Sequence, residues 1–134
     1  MWIYFKVFLI AFIIFIVIDL LWLGLIAKDL YQRELGQLMK PNINFTAAII
    51  FYLIFVIALS VFVIVPGIEA DSILKVILLG ALFGFASYAT YDLTNYATLE
   101  GFPLNMVIID LIWGTSLGTL TSLLTFLIYK GVFK

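Results

Sequence analysis

Hydrophobic residues fill four long stretches of this chain, and polar segments separate them. The stretches cover about residues 2–27, 45–65, 73–97 and 105–129. Because a transmembrane helix needs about 20 mainly apolar residues, each stretch is long enough to cross a membrane. The pattern predicts an all-α integral membrane protein with four transmembrane helices packed as a bundle. We expect residues 1–134 to form this single domain, since four spans leave no room for a second one.

The first polar segment is the longest, and it contains Lys28, Arg33 and Pro41. Its apolar residues are spaced as in a short amphipathic helix on the membrane surface: Leu30, Tyr31, Leu35, Leu38 and Met39. An ordinary solvated turn between the first two helices explains the segment equally well, so both interpretations stay open.

The second stretch carries almost no polar side chain apart from Tyr52 and Ser60, which is typical of a helix that faces lipid. It reaches Pro66 and Gly67, a pair that commonly ends a helix. We therefore expect the second helix to stop at about residue 65 and to form the lipid-facing wall of the bundle.

Composition supports a lipid environment and excludes several kinds of chemistry. The chain is 66% hydrophobic and 11% charged, whereas soluble domains are about 45–50% apolar and about 25% charged. Its seven basic residues are scattered and its net charge is −1, so no basic patch indicates nucleic acid. It has no Cys and no His, which removes thiolate ligands and the commonest general base. We predict no metal site and no cofactor.

Charge gives a weak indication of orientation, because basic residues favour the cytoplasmic side of a membrane. Four spans place both termini on the same side. That side carries Lys6, Lys75, Lys130 and Lys134, and the opposite side carries Lys28, Arg33 and Lys40. The difference favours cytoplasmic termini.

Three aspartates, Asp19, Asp92 and Asp110, lie inside the hydrophobic stretches. A charged side chain at the bilayer centre costs roughly 2.5–3.5 kcal/mol or more, so three of them need a reason. At 1.5 Å per residue, Asp92 and Asp110 lie roughly 10 Å from the midplane, and Asp19 lies somewhat deeper. All three fall in the membrane half near the first and third connections. No Lys or Arg is buried at that depth to neutralise three acids, although the long side chain of Lys28 can extend towards them from the end of the first helix. We therefore expect a bound proton or cation among them.

The third stretch predicts a helix with one protein-facing and one lipid-facing side. At about 100° per residue, one arc of roughly 140° collects the polar and small residues: Gly80, Gly84, Ser87, Tyr88, Tyr91, Asp92 and Asn95. The opposite arc carries Leu82, Phe83, Ala86, Thr90, Leu93 and Ala97. In the fourth stretch one face carries Asp110, Trp113, Gly114, Leu117, Thr121 and Thr125.

Two pairs of glycines have the spacing that lets transmembrane helices approach closely. Gly80 and Gly84 form the first pair, and Gly114 and Gly118 form the second. We interpret both as helix-packing positions. Whether they pack within one chain or between two chains stays open.

An internal echo links the first and fourth helices. Asp19 precedes Trp22 by three residues, and Asp110 precedes Trp113 by the same spacing. Since the two helices are antiparallel, Asp19 would lie level with Trp113, and Trp22 with Asp110. Each indole N–H would then donate to a carboxylate on the other helix. The alternative is that the echo is chance and that the tryptophans anchor the helices at the membrane interface.

Several motifs resemble one known family of bacterial membrane proteins. They are the run 88–99 with 101–104, the runs 19–24 and 110–115, and the segments 38–41 and 51–52. Together they are similar to the domain-of-unknown-function family DUF2177, although Tyr96 stands where that family usually has Leu. The resemblance implies a small four-span protein of the bacterial inner membrane. It brings no established activity.

The polar cluster supports three hypotheses. The first is a binding or transport site for a small polar or cationic ligand or for protons. Its candidate residues are Asp19, Asp92, Asp110, Asn95, Tyr88 and Tyr91, with Trp22 and Trp113 beside them. The second is a structural or accessory protein whose buried polar network fixes helix packing. The third is a membrane enzyme that acts on a lipid or isoprenoid, which we favour least because a basic cluster for phosphate is missing. We expect membrane lipids as partners, and leave open a homo-oligomer and a small-molecule or lipid ligand.

Overall fold

The described part of the chain folds into four long helices and contains no strand. The structure is a computed structural model, and it describes residues 2–36 and 44–133. The helices are α1 (Trp2–Leu35), α2 (Phe45–Ala70), α3 (Ile73–Thr98) and α4 (Leu104–Phe133). Each is long and apolar enough to cross a membrane. The predicted all-α class with four membrane-spanning helices is confirmed.

The pair α3 and α4 has the most extensive contact in the bundle, and α1 packs against both α4 and α2. The buried side of α1 repeats every four residues through Val7, Ala11 and Phe15 and ends at Asp19. This spacing keeps one face of the helix towards its neighbours. The aspartate therefore continues a stripe that is otherwise apolar.

Helix α1 is longer than predicted. It does not end at Ala27 but passes through a π-helical segment, Trp22–Ala27, and continues as an α-helix over Lys28–Leu35. The first part of the predicted surface helix, residues 28–35, is thus an extension of α1. None of these residues is buried. Its other members, Leu38 and Met39, lie outside the described residues, as do Lys40 and Pro41.

Helix α2 also runs past its predicted end. Pro66 lacks a backbone N–H and would interrupt a regular helix, but a π-helical segment, Ser60–Ile64, comes immediately before it. The wider turns of this segment, in which Val65 N–H bonds Ser60 O, give room for the proline ring. The helix ends at Ala70, where Asp71 takes the left-handed conformation with φ 50°.

The lipid-facing role predicted for α2 holds for only one of its sides. Phe55, Val56 and Leu59 are buried in the hydrophobic core together with residues of α1 and α4. Ile54 and Phe62 are exposed on the opposite side. An apolar composition could not separate the two sides, because core and lipid are equally apolar.

Candidate functional site

Two of the three aspartates, Asp92 and Asp110, lie near the same end of the bundle. Asp92 is six residues before the end of α3, and Asp110 is six residues after the start of α4. Each is therefore about 9 Å from that end of its helix. Asp19 lies on α1 in the same half, where Tyr52 of α2 reaches it. All four helices thus contribute to one polar cluster.

Asp92 is the most deeply buried of the three, with 0% of its surface exposed. Its carboxyl group lies within hydrogen-bond reach of the Asp110 carboxyl group. Two carboxylates can only accept, so neither Asp92 oxygen has a hydrogen-bond donor among the described residues. A proton shared by the pair, or a bound cation, would satisfy these oxygens.

Asp19 has a donor that the sequence interpretation missed. The Tyr52 hydroxyl donates to Asp19 Oδ2 at 2.5 Å and ties α2 to α1. The indole of Trp113 also interacts with the Asp19 carboxyl group, although its Nε1 lacks full hydrogen-bond geometry within the described residues. The echo between the first and fourth helices predicted this position of Trp113, level with Asp19. Tyr52 was not predicted as a donor, because it is one of only two polar residues in a stretch that is otherwise apolar.

Asp110 is reached by Trp22 through an intermediate tyrosine. The Tyr31 hydroxyl donates to Asp110 Oδ1 at 3.1 Å, and Trp22 Nε1 donates to the Tyr31 hydroxyl at 3.3 Å. The direct bond predicted from Trp22 to Asp110 is therefore replaced by a relay. The rings of Trp22 and Trp113 stack, with centroids 4.4 Å apart and planes within 8°.

The π-helical segment of α1 explains how Tyr31 reaches the cluster. Tyr31 follows Trp22 by nine residues, and at about 100° per residue a regular helix would place them on opposite faces. The i→i+5 turns of Trp22–Ala27 take up part of this rotation. Tyr31 thereby turns towards Asp110 instead of towards the membrane surface. A regular helical projection of the sequence could not show this.

Tyr88 of α3 belongs to the cluster. Its ring packs against the apolar core and lies directly over Gly114 of α4. Its hydroxyl is close enough to interact electrostatically with Asp19 and Asp110. Tyr88 is therefore near both carboxyl groups that accept from other tyrosines.

A cleft of about 320 Å³ opens beside the cluster. It is lined by Tyr31, Phe51, Ser87, Tyr88, Tyr91 and Asp110, which come from all four helices. Phe51 and Tyr91 are largely exposed at its rim. Asn95 lies beside Tyr91. The cleft thus combines one carboxyl group with several aromatic rings.

The two glycine pairs face each other within this chain and hold α3 close to α4. A Cβ atom on Gly80 would lie 2.9 Å from the carbonyl oxygen of Gly118, and one on Gly84 would overlap the carbonyl oxygen of Gly114. The buried side of α3 follows the predicted stripe through Gly80, Gly84 and Asp92. Phe83 departs from the lipid-facing stripe, because its ring packs against Phe55 of α2.

In the described ranges, no three acidic, His or Cys side chains are arranged to hold a metal ion. Of the eight candidate residues taken from the sequence, the three aspartates, Tyr88 and the two tryptophans meet in the cluster. Tyr91 and Asn95 lie at the edge of the cleft. Tyr31, Tyr52 and Phe51 join the site as residues that were not among those candidates.

The fold and the cluster define a small polytopic α-helical membrane protein with carboxyl groups buried between its spans. The model of a family described as a predicted membrane protein, DUF2177, matches residues 4–127. The chain belongs to this family, as its motifs indicated. None of the curated proteins and none of the solved structures matches it.

Proposed function

We propose that this protein binds positive charge, as a small cation or as protons, at the Asp92–Asp110 pair, and that it serves ligand binding or transport. One observation carries the proposal. Asp92 is fully buried, has no hydrogen-bond donor among the described residues and lies against a second carboxyl group. A buried carboxylate without a partner is costly. Bound positive charge removes that cost.

Among the described residues, those that line the cleft beside the pair supply no positive charge. The residues that line the neighbouring cleft include no Lys and no Arg. The hydroxyls of Tyr31 and Tyr52 donate to Asp110 and Asp19, not to Asp92. The arrangement therefore leaves one carboxyl group of the cluster for an external proton or ligand.

A structural role is the second candidate, and specific contacts favour it. Tyr52 links α2 to α1 through Asp19, and Tyr31 links the end of α1 to α4 through Asp110. Buried polar contacts of this kind can fix one arrangement of helices. In this case Asp92 would need only a permanently held proton.

Asp92→Asn keeps the size of the side chain but removes ionisation, so it tests whether the signal of bound positive charge comes from Asp92. Exchange of that signal with solvent pH or added salt then separates the two candidates. We expect the parent at neutral pH to show either the infrared C=O band of a protonated carboxyl group or a bound cation in native mass spectrometry. We expect Asp92→Asn to remove that signal and to remain folded. Asp29→Asn, at an exposed position of α1, is the matched control and should keep it.

If the parent shows neither a protonated carboxyl group nor a bound cation, the binding proposal is wrong. If Asp92→Asn keeps every ligand that the parent holds, the ligand does not depend on Asp92. A signal that Asp92→Asn removes, but that neither solvent pH nor added salt exchanges, supports the structural candidate instead.

We further propose that the protein lies in a bacterial inner membrane with cytoplasmic termini, on the basis of the basic residues near the termini. Since the chain has no Cys, single cysteines report orientation directly. In intact cells a membrane-impermeant maleimide should label Glu100→Cys, on the third connection, and leave Glu69→Cys, at the end of α2, unlabelled. Both glutamates are exposed. The reverse pattern would show the opposite orientation.

A further inference from the structure

The shape and lining of the cleft extend the proposed function to a ligand class. Resting on that function, we propose that the cleft binds a small monovalent organic ammonium ion. Its charged group lies at Asp110, and its apolar group lies between the aromatic side chains of the rim.

Aromatic rings supply most of the lining. Tyr31, Phe51, Tyr88 and Tyr91 surround the single carboxyl group that lines the cleft, Asp110. The faces of aromatic rings attract organic cations, and the attraction strengthens when water is excluded. A cleft of about 320 Å³ lies at the lower end of the range for small-molecule sites, about 300–1,000 Å³. The ligand is therefore small.

The electrostatics favour one positive charge. Asp110 accepts from Tyr31 on one oxygen and lies within reach of the buried Asp92 carboxyl group on the other side. The donor-free oxygens of Asp92 add negative charge behind Asp110 whenever the pair loses its proton. A bound ammonium group and the proton of the pair are therefore alternatives, and binding of one releases the other.

The cleft suits an organic cation better than a hard divalent ion. Calcium takes about six to eight oxygen ligands, whereas much of this lining is aromatic carbon. Ser87 is also engaged, because its hydroxyl donates to the carbonyl oxygen of Phe83 at 2.8 Å. At the rim, Phe51 and Tyr91 are 44% and 53% exposed. An amphiphilic cation can place its apolar part there while its charge reaches Asp110.

Three probes with the same skeleton test the proposal by charge alone. They are phenethylammonium chloride, 2-phenylethanol and sodium phenylacetate, which carry a positive, zero and negative charge. Binding is followed by fluorescence of the Trp22–Trp113 stack in full-length protein with Trp2→Phe, since Trp2 is the third tryptophan and lies at the other end of α1. We expect saturable binding of phenethylammonium, about 10-fold or more tighter than of the other two.

Two variants locate the binding. Asp110→Asn should abolish the preference for the cation, because it removes the negative group of the lining. Phe51→Leu should weaken phenethylammonium about 2–5-fold, since it removes one aromatic face and keeps an apolar side chain. Phe62→Leu is the matched control, because Phe62 is exposed on α2 and does not line the cleft. Should Asp110→Asn fail to fold, the comparison of Phe51→Leu with Phe62→Leu still decides whether phenethylammonium binds in the cleft.

Equal binding of the three probes, or unsaturable binding, would overturn the inference, as would equal effects of Phe51→Leu and Phe62→Leu. The same protein is then titrated with sodium, potassium and ammonium chlorides. If phenethylammonium fails but the signal that depends on Asp92 still exchanges with solvent pH or with these salts, the proposed function stands and only the ligand class is wrong. If that signal is missing as well, both proposals fail.

Discussion

Gly84→Ala is expected to lower the free energy of unfolding by about 1–3 kcal/mol, because it forces α3 away from α4. A Cβ atom at Gly84 would overlap the carbonyl oxygen of Gly114. That oxygen belongs to a helix backbone and has no rotamer through which to move aside. The gain in helix propensity from Gly to Ala, about 0.5–1 kcal/mol, offsets only part of this cost.

Unfolding of reconstituted protein by sodium dodecyl sulfate, followed by circular dichroism, measures the change in free energy. Gly131→Ala is the matched control, because a Cβ atom at Gly131 meets nothing within 4 Å. It should be neutral or slightly stabilising. If Gly84→Ala behaves like Gly131→Ala, the close approach of α3 and α4 is not as the structure has it. We also expect Gly84→Ala to disturb the site, since Tyr88 lies over Gly114.

Tyr52→Phe is expected to lower the free energy of unfolding by about 1–2 kcal/mol. It removes the hydroxyl that donates to Asp19 and leaves a buried carboxyl group with one donor fewer. Hydrogen bonds between membrane helices contribute about 0.6 kcal/mol on average and at most about 1.7. The stranded Asp19 adds to this loss, because it is only 6% exposed.

A double-mutant cycle with Asp19→Ala, which removes both acceptor oxygens, isolates the contact between the two side chains. The hydrogen bond predicts that the effect of Tyr52→Phe becomes smaller in the Asp19→Ala protein. Tyr4→Phe, at a partly exposed position near the other end of α1, is the control for loss of a phenol hydroxyl and should change little. Additive effects of Tyr52→Phe and Asp19→Ala would show that the two side chains do not interact.

The sequence was sufficient to predict that the carboxyl groups lie in one half of the membrane, but not to find all of their partners. The positions of Asp92 and Asp110 follow from counting residues to the helix ends, and a helical projection puts Asp92 on the same stripe as Gly80 and Gly84. The contacts of Tyr31 and Tyr52 with the aspartates could not be predicted in this way. Tyr31 needs the rotation introduced by a π-helical segment, and Tyr52 is one polar residue in an apolar stretch.

The ends of the helices were likewise only partly predictable from the sequence. Phe45 and Ile73 begin α2 and α3 where the change from polar to apolar residues predicted them. The end of α2 was predicted wrongly, because Pro66 usually breaks a helix. The π-helical segment before it removes the conflict. Such a segment depends on how the helix packs against its neighbours, and no local pattern of residues marked it.

The sequence by itself determined the membrane environment and the number of spans, and it predicted that the three aspartates lie in one half of the membrane. These follow from segment length, hydrophobicity and the constant rise of a helix, all of which are local quantities. Only the tertiary structure decided that α2 has a core-facing side, that the glycine pairs meet within one chain and that Tyr31 and Tyr52 reach the aspartates. The physical reason is that in lipid the core and the outside are equally apolar. Which side of a helix faces its neighbours is therefore set by close packing and polar contacts between helices.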